Sequence, residues 1–313
     1  MGEQTAALTL AGYLFLLVML LVVLEQATRS GDRSNLPTPS EPARPRRLTG
    51  WRSLLAAFAC LLPVLIGFAI PGAILLMHTI ETGDPLVGTR FLDFITHSML
   101  VSIAASLLCV AAAVWLGYTA RLHTGYLSRY GIRVATLGYA VPGLVLATGA
   151  LIPLTHLDHW LADLFGIQSL VLTGSVAALV FVYIARFLTV AYNGVHGTMG
   201  QIHPSMDAAA RSLGASPVRM LRRIHLPMLS GTLVYATLLV FIDVMKELPA
   251  TLVMRPLNFE TLATRVYRLA SDERLAEAST AALVIVALSL IPALMLMRER
   301  FQASETRESN PRR

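Results

Sequence analysis

Three ionisable residues interrupt an otherwise apolar stretch late in the chain: Asp243, Lys246 and Glu247, within Phe241-Ile-Asp-Val-Met-Lys-Glu-Leu-Pro-Ala250. Spacings of three and four residues put Asp243 on one helix face with both Lys246 and Glu247. Charges at such depth in apolar sequence face a protein interior or a watery cavity, where they pair with one another or meet a polar cargo. With a rise of about 1.5 Å per residue, the cluster sits roughly 18–24 Å above Gly231. Pro249, just beyond it, is suited to break the helix. We expect Asp243, Lys246, Glu247 and Pro249 to form a gate or a stretch of a translocation path, with a neutralised packing cluster as the alternative. Elsewhere no nucleophile–base pair or metal constellation stands out. His156-Leu-Asp158-His159 is the only ligand-like spacing. There is no Gly-rich phosphate loop ending in Lys and Ser/Thr. The chain therefore reads as neither an enzyme nor a holder of a resident cofactor or metal.

The elements that must position these charges are membrane helices. Hydrophobic residues make up 55% of the 313 and charged residues 14%, where a soluble domain carries about 25% charged residues. Seven apolar stretches, near 5–26, 53–79, 98–120, 134–155, 167–190, 231–253 and 277–297, reach the ~20 residues a helix needs to cross a hydrocarbon layer. Backbone groups inside a bilayer must be paired within their own segment, so the fold class is an all-α polytopic membrane protein. Pro71-Gly72 and Pro142-Gly143 inside these stretches read as kinks or close helix contacts. Residues 28–50, with Pro37, Pro39, Pro42 and Pro45 among Ser, Asn and Arg, form a linker that cannot build a core. It separates a lone helix at 1–27 from a main domain at 51–298, followed by a tail at 299–313. Cys60 and Cys109 both lie in apolar stretches and read as small apolar residues, not a disulfide framework.

Arginine sets the orientation. The linker, the loop 121–133 with Arg121, Arg129 and Arg133, the segment 191–230 and the tail are all Arg-rich, and the regions between them are acidic or balanced. The positive-inside rule then puts the N-terminus outside and the C-terminus inside. The net charge of +6 is spread over separate loops, so it marks topology and not a nucleic-acid surface.

The segment 191–230 is a polar, basic helical insert between two apolar stretches. Ala208, Ala209, Ala210 and Gly214 carry little side chain, which lets backbone approach backbone in a partner's groove. Asp207 complements a helix N-terminus, and Arg211, four residues on, lies within reach of it. A second helix from Pro217 carries Arg219, Arg222 and Arg223 on its wet side, and Pro227 redirects the chain into the next span. The spacing resembles the cytoplasmic coupling loop of ABC-importer permeases: Glu-Ala-Ala, three residues, Gly, nine residues, Ile-x-Leu-Pro. Counting from Gly214 puts the triplet at Ala208, Ala209 and Ala210 and the last motif at Ile224, Leu226 and Pro227. Ala208 replaces the Glu, and Asp207 is the nearest acid.

Along most of its length the chain is similar to ferric-iron ABC-importer permeases. The resemblance is carried by Tyr139-Ala-Val-Pro-Gly-Leu-Val-Leu-Ala147, His203-Pro-Ser-Met-Asp207, Lys246-Glu-Leu-Pro-Ala-Thr-Leu-Val-Met-Arg-Pro256 and Asn258-Phe-Glu-Thr-Leu262. Permeases for thiamine, phosphonates and polyamines share portions of it. The resemblance implies about seven transmembrane helices, one extra N-terminal helix plus a six-helix type I importer core, in the bacterial inner membrane. It implies coupling residues at Asp207, Ala208, Ala209, Ala210, Arg211, Gly214, Ile224, Leu226 and Pro227. Its partners would be a cytoplasmic ABC ATPase dimer that hydrolyses ATP, a periplasmic substrate-binding protein and a second permease core. Members of this family are usually fused from two halves, and the chain is expected to match the C-terminal half. A proton-coupled secondary transporter using Asp243, Lys246 and Glu247 as a relay is the alternative from another class; it leaves the insert without a role.

Overall fold

A computed structural model describes residues 50–122, 125–166 and 171–309, with scattered positions between 9 and 24. Among the described residues every regular element is helical. Helices α1 (Trp51–Val64) and α2 (Ile70–Glu81) are joined by a π turn at Leu65–Ala69 into one apolar rod. None of its most apolar window is buried within the chain. Lipid tails are as apolar as leucine, so a membrane-facing helix has no drive to hide such a surface.

The core is built from three long helices: α3 (Thr89–Leu122), α6 (Val176–Gly200) and α9 (Leu226–Met245). Their close approach is written into α3. Ser98, Ser102, Ala105, Cys109 and Ala113 recur every three or four residues and are buried, so little side chain separates α3 from its neighbours. Leu179, Val182, Val195, Leu229 and Val240 fill the space they leave. A second apolar cluster of Phe91, Phe94, Phe241, Met245, Leu262 and Ala281 joins α3 and α9 to α11 (Leu262–Ser271) and α12 (Leu275–Ser309). Helix α12 packs on α2 and α11 and runs on as helix into the residues expected as a tail.

Among the described residues, five helical runs are long and apolar enough to cross a membrane: Trp51–Glu81, Arg90–Leu122, Val176–Gly200, Pro217–Met245 and Leu275–Leu294. The stretch at 5–26 and the linker 28–50 lie largely outside the described residues. The stretch at 134–155 is not one helix. Amphipathic α4 (Tyr126–Ala135) ends there, a 3-10 turn occupies Gly138–Ala140, and α5 (Gly143–Phe165) starts afresh. Pro142-Gly143 is thus a helix start and not a kink. The proline holds the preceding Val141 in extended geometry, with φ −81° and ψ 128°, which ends any helix arriving from the N-terminal side.

Two buried carboxylates fasten the end of the bundle remote from the insert. Asp84 accepts two hydrogen bonds from Arg265, from Nε at 2.9 Å and Nη2 at 2.7 Å, and one from the Leu86 amide at 2.9 Å. Burial works against its charge, but Arg265 and the Leu86 amide outweigh it and hold the carboxyl below the usual Asp range. Asp158, late in α5, accepts from the amides of Val171, Leu172 and Thr173 at 3.0, 2.7 and 2.6 Å. Burial would raise its pKa, yet hydrogen bonding from Thr173, Leu172 and Val171 holds it down to about 2. Against an unfolded value of about 3.9, this carboxylate stabilises the fold fully above that value and progressively less as pH falls toward 2. Wild type should therefore melt above Asp158→Asn at pH 7, and the gap should narrow below about pH 4 and close near pH 2. A gap independent of pH would mean that the charge is not what holds the 171–173 loop.

Candidate functional site: the polar insert and the charges within the bundle

The insert is a rigid structure with short connections. Helix α7 (Pro204–Ser212) starts at His203, whose ring nitrogen accepts from the Ser205 amide at 3.2 Å. It stops at Gly214, which adopts φ 75°. There the Gly214 amide donates to Arg211 O at 2.9 Å and the Ala215 amide to Ala210 O at 3.0 Å. This paired closure needs a left-handed residue, which glycine supplies without strain. Ser216 then opens α8 (Pro217–Met220), and a π turn at Leu221–His225 leads directly into α9. The chain from Pro217 to Met245 is one continuous rod. Pro227 therefore does not redirect it; the π turn just before absorbs the amide that proline lacks. Ala208, Ala209, Arg211, Gly214, Arg222, Arg223 and Pro227 are exposed, Ile224 and Leu226 are half-buried, and Ala210 is buried.

Asp207 does not pair with Arg211. It turns inward, where its Oδ2 accepts from Arg121 Nε at 2.7 Å and its Oδ1 lies 3.1 Å from His225 Nε2. Arg121 is the better partner because its remaining donors are needed in the same place. Nη1 bonds Met199 O at 2.7 Å and Nη2 bonds Ile202 O at 2.9 Å, where α6 ends and its carbonyls lack helical partners. Tyr118 completes the lock: its hydroxyl donates to Pro217 O at 2.7 Å and its ring packs on His225 at 5.4 Å. The insert is thus bound to α3 through side chains and continuous with α9 through its backbone.

The charged cluster of α9 divides into two pairs. Lys246 Nζ pairs with Asp243 Oδ1 at 2.9 Å, with the lysine 63% exposed. Glu247 turns the other way, is buried, and lies with Oε2 3.4 Å from Arg186 Nε in α6. The helix breaks between them: α9 ends at Met245, and α10 (Pro249–Met254) opens with Pro249. Glu247 Oε1 accepts from the Ala250 amide at 3.2 Å, so the same carboxylate starts the new helix. Thr251 Oγ1 donates to Glu247 O and meets Tyr183 OH at 2.6 Å. The pairing roles of Arg186, Arg121 and His225 were not singled out from sequence. A lone arginine within the apolar run of α6 was the available signal for Arg186. Toward the remote end, Arg90, Asp93, Phe94, His97, Asn258 and Glu260 line a polar cavity of about 410 Å³. Asn258 there adopts φ 61°, uncommon for a residue other than glycine.

No family model matches the chain. It is 28% identical over 243 residues to the Fe(3+)-transport system permease protein FbpB 2 of Haemophilus influenzae, a match covering 76% of this chain and 46% of that protein. It is 27% identical over 208 residues to a protein of Salmonella typhimurium described as a 2-aminoethylphosphonate transport system permease, PhnV, covering 66% of this chain and 74% of that one. The chain thus spans about half the length of the ferric-iron relative it matches. In fold it is similar to a chain of a bacterial alginate ABC transporter solved with an alginate pentasaccharide-bound periplasmic protein. That likeness has a TM-score of 0.63 at 14% identity and covers 79% of this chain and 92% of the other. In sequence the chain is similar to transport permeases, and it shares a multi-pass helical fold with the alginate transporter chain. More particularly, the chain is a homologue of ABC-transporter permeases, the Fe(3+)-transport permease FbpB among them.

Proposed function

We propose that the chain is the membrane-spanning subunit of a binding-protein-dependent ABC importer and that its cargo is ferric iron. The observation that carries the importer reading is the insert: a short rigid helix with a small-residue face, exposed at one end of the bundle and locked to two core helices. In this reading the insert lies in the cytoplasm, as the arginine distribution favours, and Ala208, Ala209 and Gly214 fit a groove of an ABC ATPase dimer. A periplasmic binding protein delivers cargo to the opposite face, and a second permease core completes the path. Asp243, Lys246, Glu247 and Pro249 line or gate that path. The iron assignment is supported by similarity to a permease named for Fe(3+) transport. An aminophosphonate is the second reading, supported by PhnV, more of whose length is matched.

The test is capture of the ATPase encoded beside this gene by the purified chain in detergent, comparing wild type with Ala209→Trp. Ala209 is exposed in mid-helix, so the bulky ring blocks docking without the strain that any side chain brings to Gly214. Capture by wild type and its loss in a variant with an unchanged melting midpoint is the expected result. Equal capture by both removes the insert from the interface. Uptake by the reconstituted assembly, driven by binding protein loaded with ferric iron or with 2-aminoethylphosphonate, then separates the two cargoes.

A further inference from the structure

Glu247 meets Arg186 at a point where three elements are discontinuous or tightly seated. Helix α9 breaks after Met245, α10 starts at Pro249, and α5 begins at Gly143 with no helix directly before it. Irregular backbone at membrane depth persists only where it is buried in protein or lines a watery cavity. Gly143 is seated on the charged pair itself: a Cβ there would lie 2.1 Å from Arg186 Nη1 and 2.7 Å from Glu247 Oε1. An alanine there would push the guanidinium and the carboxylate aside.

The pair is also unusually loose for its burial. The side chains of Arg186 and Glu247 are 20% and 7% exposed, yet they approach only to 3.4 Å. Neither Arg186 Nε nor Nη1 has a hydrogen-bond partner, and the guanidinium rests against the Phe187 ring at 5.5 Å. A buried static brace is expected to hydrogen-bond its donors, as Arg121 does through all three nitrogens and Arg265 through Nε and Nη2. A contact held by charge, with donors left over, can open without sacrificing formed hydrogen bonds.

We infer that Arg186 and Glu247 form a latch that closes the bundle at the break between α9 and α10, with Gly143 as its seat. The inference deepens the importer reading and rests on it for the cargo that passes. Arg186 is a positioning residue here: through Glu247 it fixes where α10 begins. Asp243 and Lys246 pair with each other outside the latch.

Solvent access to the break tests this directly. Leu248→Cys, in a background carrying Cys60→Ser and Cys109→Ala, is labelled by a membrane-impermeant thiol reagent in the reconstituted chain. With the latch intact, labelling is slow. Arg186→Gln and Glu247→Gln should each speed it about tenfold or more, since unpairing a buried charge shifts the closed state by at least that factor. The exchanged pair Arg186→Glu/Glu247→Arg should restore slow labelling, a rescue that loss of packing does not produce. Arg274→Gln, which breaks an exposed ion pair outside the latch, should leave the rate unchanged. Should the glutamine variants not fold, Gly143→Ala, which displaces the guanidinium without removing charge, gives the same acceleration. Equal rates in all folded variants, or acceleration that the exchange leaves in place, overturns the latch. No ATPase or cargo enters this assay, so an unchanged rate removes the latch alone, whereas lost ATPase capture with an intact latch removes the importer reading.

Discussion

Replacing Arg121 by Met should destabilise the protein by about 3–5 kcal/mol, the usual cost of stranding one member of a buried charged network. The variant leaves the Asp207 carboxylate without its strongest donor beside His225, which is fully buried. It also uncovers the carbonyls of Met199 and Ile202 at the end of α6. The melting midpoint in detergent measures the loss. The double variant Arg121→Met/Asp207→Leu should recover some of it, because removing both partners deletes the unpaired charge while the two carbonyls stay uncapped. ATPase capture should fall in the single variant even under conditions where it stays folded, since the hydrogen bond from α3 to α7 is then gone and Tyr118 reaches only α8 and His225. An unchanged midpoint would mean that the insert is held by its apolar contacts and not by this network.

Gly138→Ala should be more damaging than its size suggests. A Cβ at this position would lie 1.8 Å from the carbonyl oxygen of Ala185 and 2.8 Å from its carbon. Those are backbone atoms in the middle of α6, so no side chain can move to make room. The 3-10 turn must lift away from α6, carrying with it the start of α5 and the seat of Arg186. We expect a loss of about 4 kcal/mol or more, the range reached when overpacking meets an unyielding partner. In practice the variant should fail to yield folded protein on extraction. Gly149→Ala is the control: nothing lies within 4 Å of its Cβ position, and alanine in a helix interior gains about 0.5–1 kcal/mol over glycine. Similar yields of the two would show that the contact between the 3-10 turn and α6 is not maintained in the membrane.

These two cases mark what sequence discloses and what it hides. The insert was legible because its components are local: Asp207, the alanines, Gly214 and Pro227 lie within one short stretch, whereas the left-handed closure at Gly214 is a role that the reading of it as a small contact residue missed. The break near Pro249 was legible for the same reason, although a proline alone does not decide it: Pro153 and Pro292 are carried inside helices. Two failures are matters of partner. Arg211 lies one helical turn from Asp207, and Arg121 lies 86 residues away. The distant residue wins because it also serves two carbonyls at the end of α6. Glu247 likewise finds Arg186 in another helix, and packing decides which of several intramembrane charges meet. The apolar run at 134–155 misled because hydropathy registers transfer into lipid and is blind to the turn that Pro142 imposes.

The unbroken helical run from Pro217 to Met245 has a mechanical consequence. At 29 residues and about 1.5 Å each it is roughly 43 Å long, with the insert at one end and the break before Glu247 at the other. A stiff beam of that length magnifies angle into displacement. A tilt of about 5° about its insert end swings the far end by roughly 4 Å, more than the 3.4 Å that separates Glu247 from Arg186. A small rocking at one membrane face is therefore enough to pull a pair of charges apart near the other, without any relay of side chains between them.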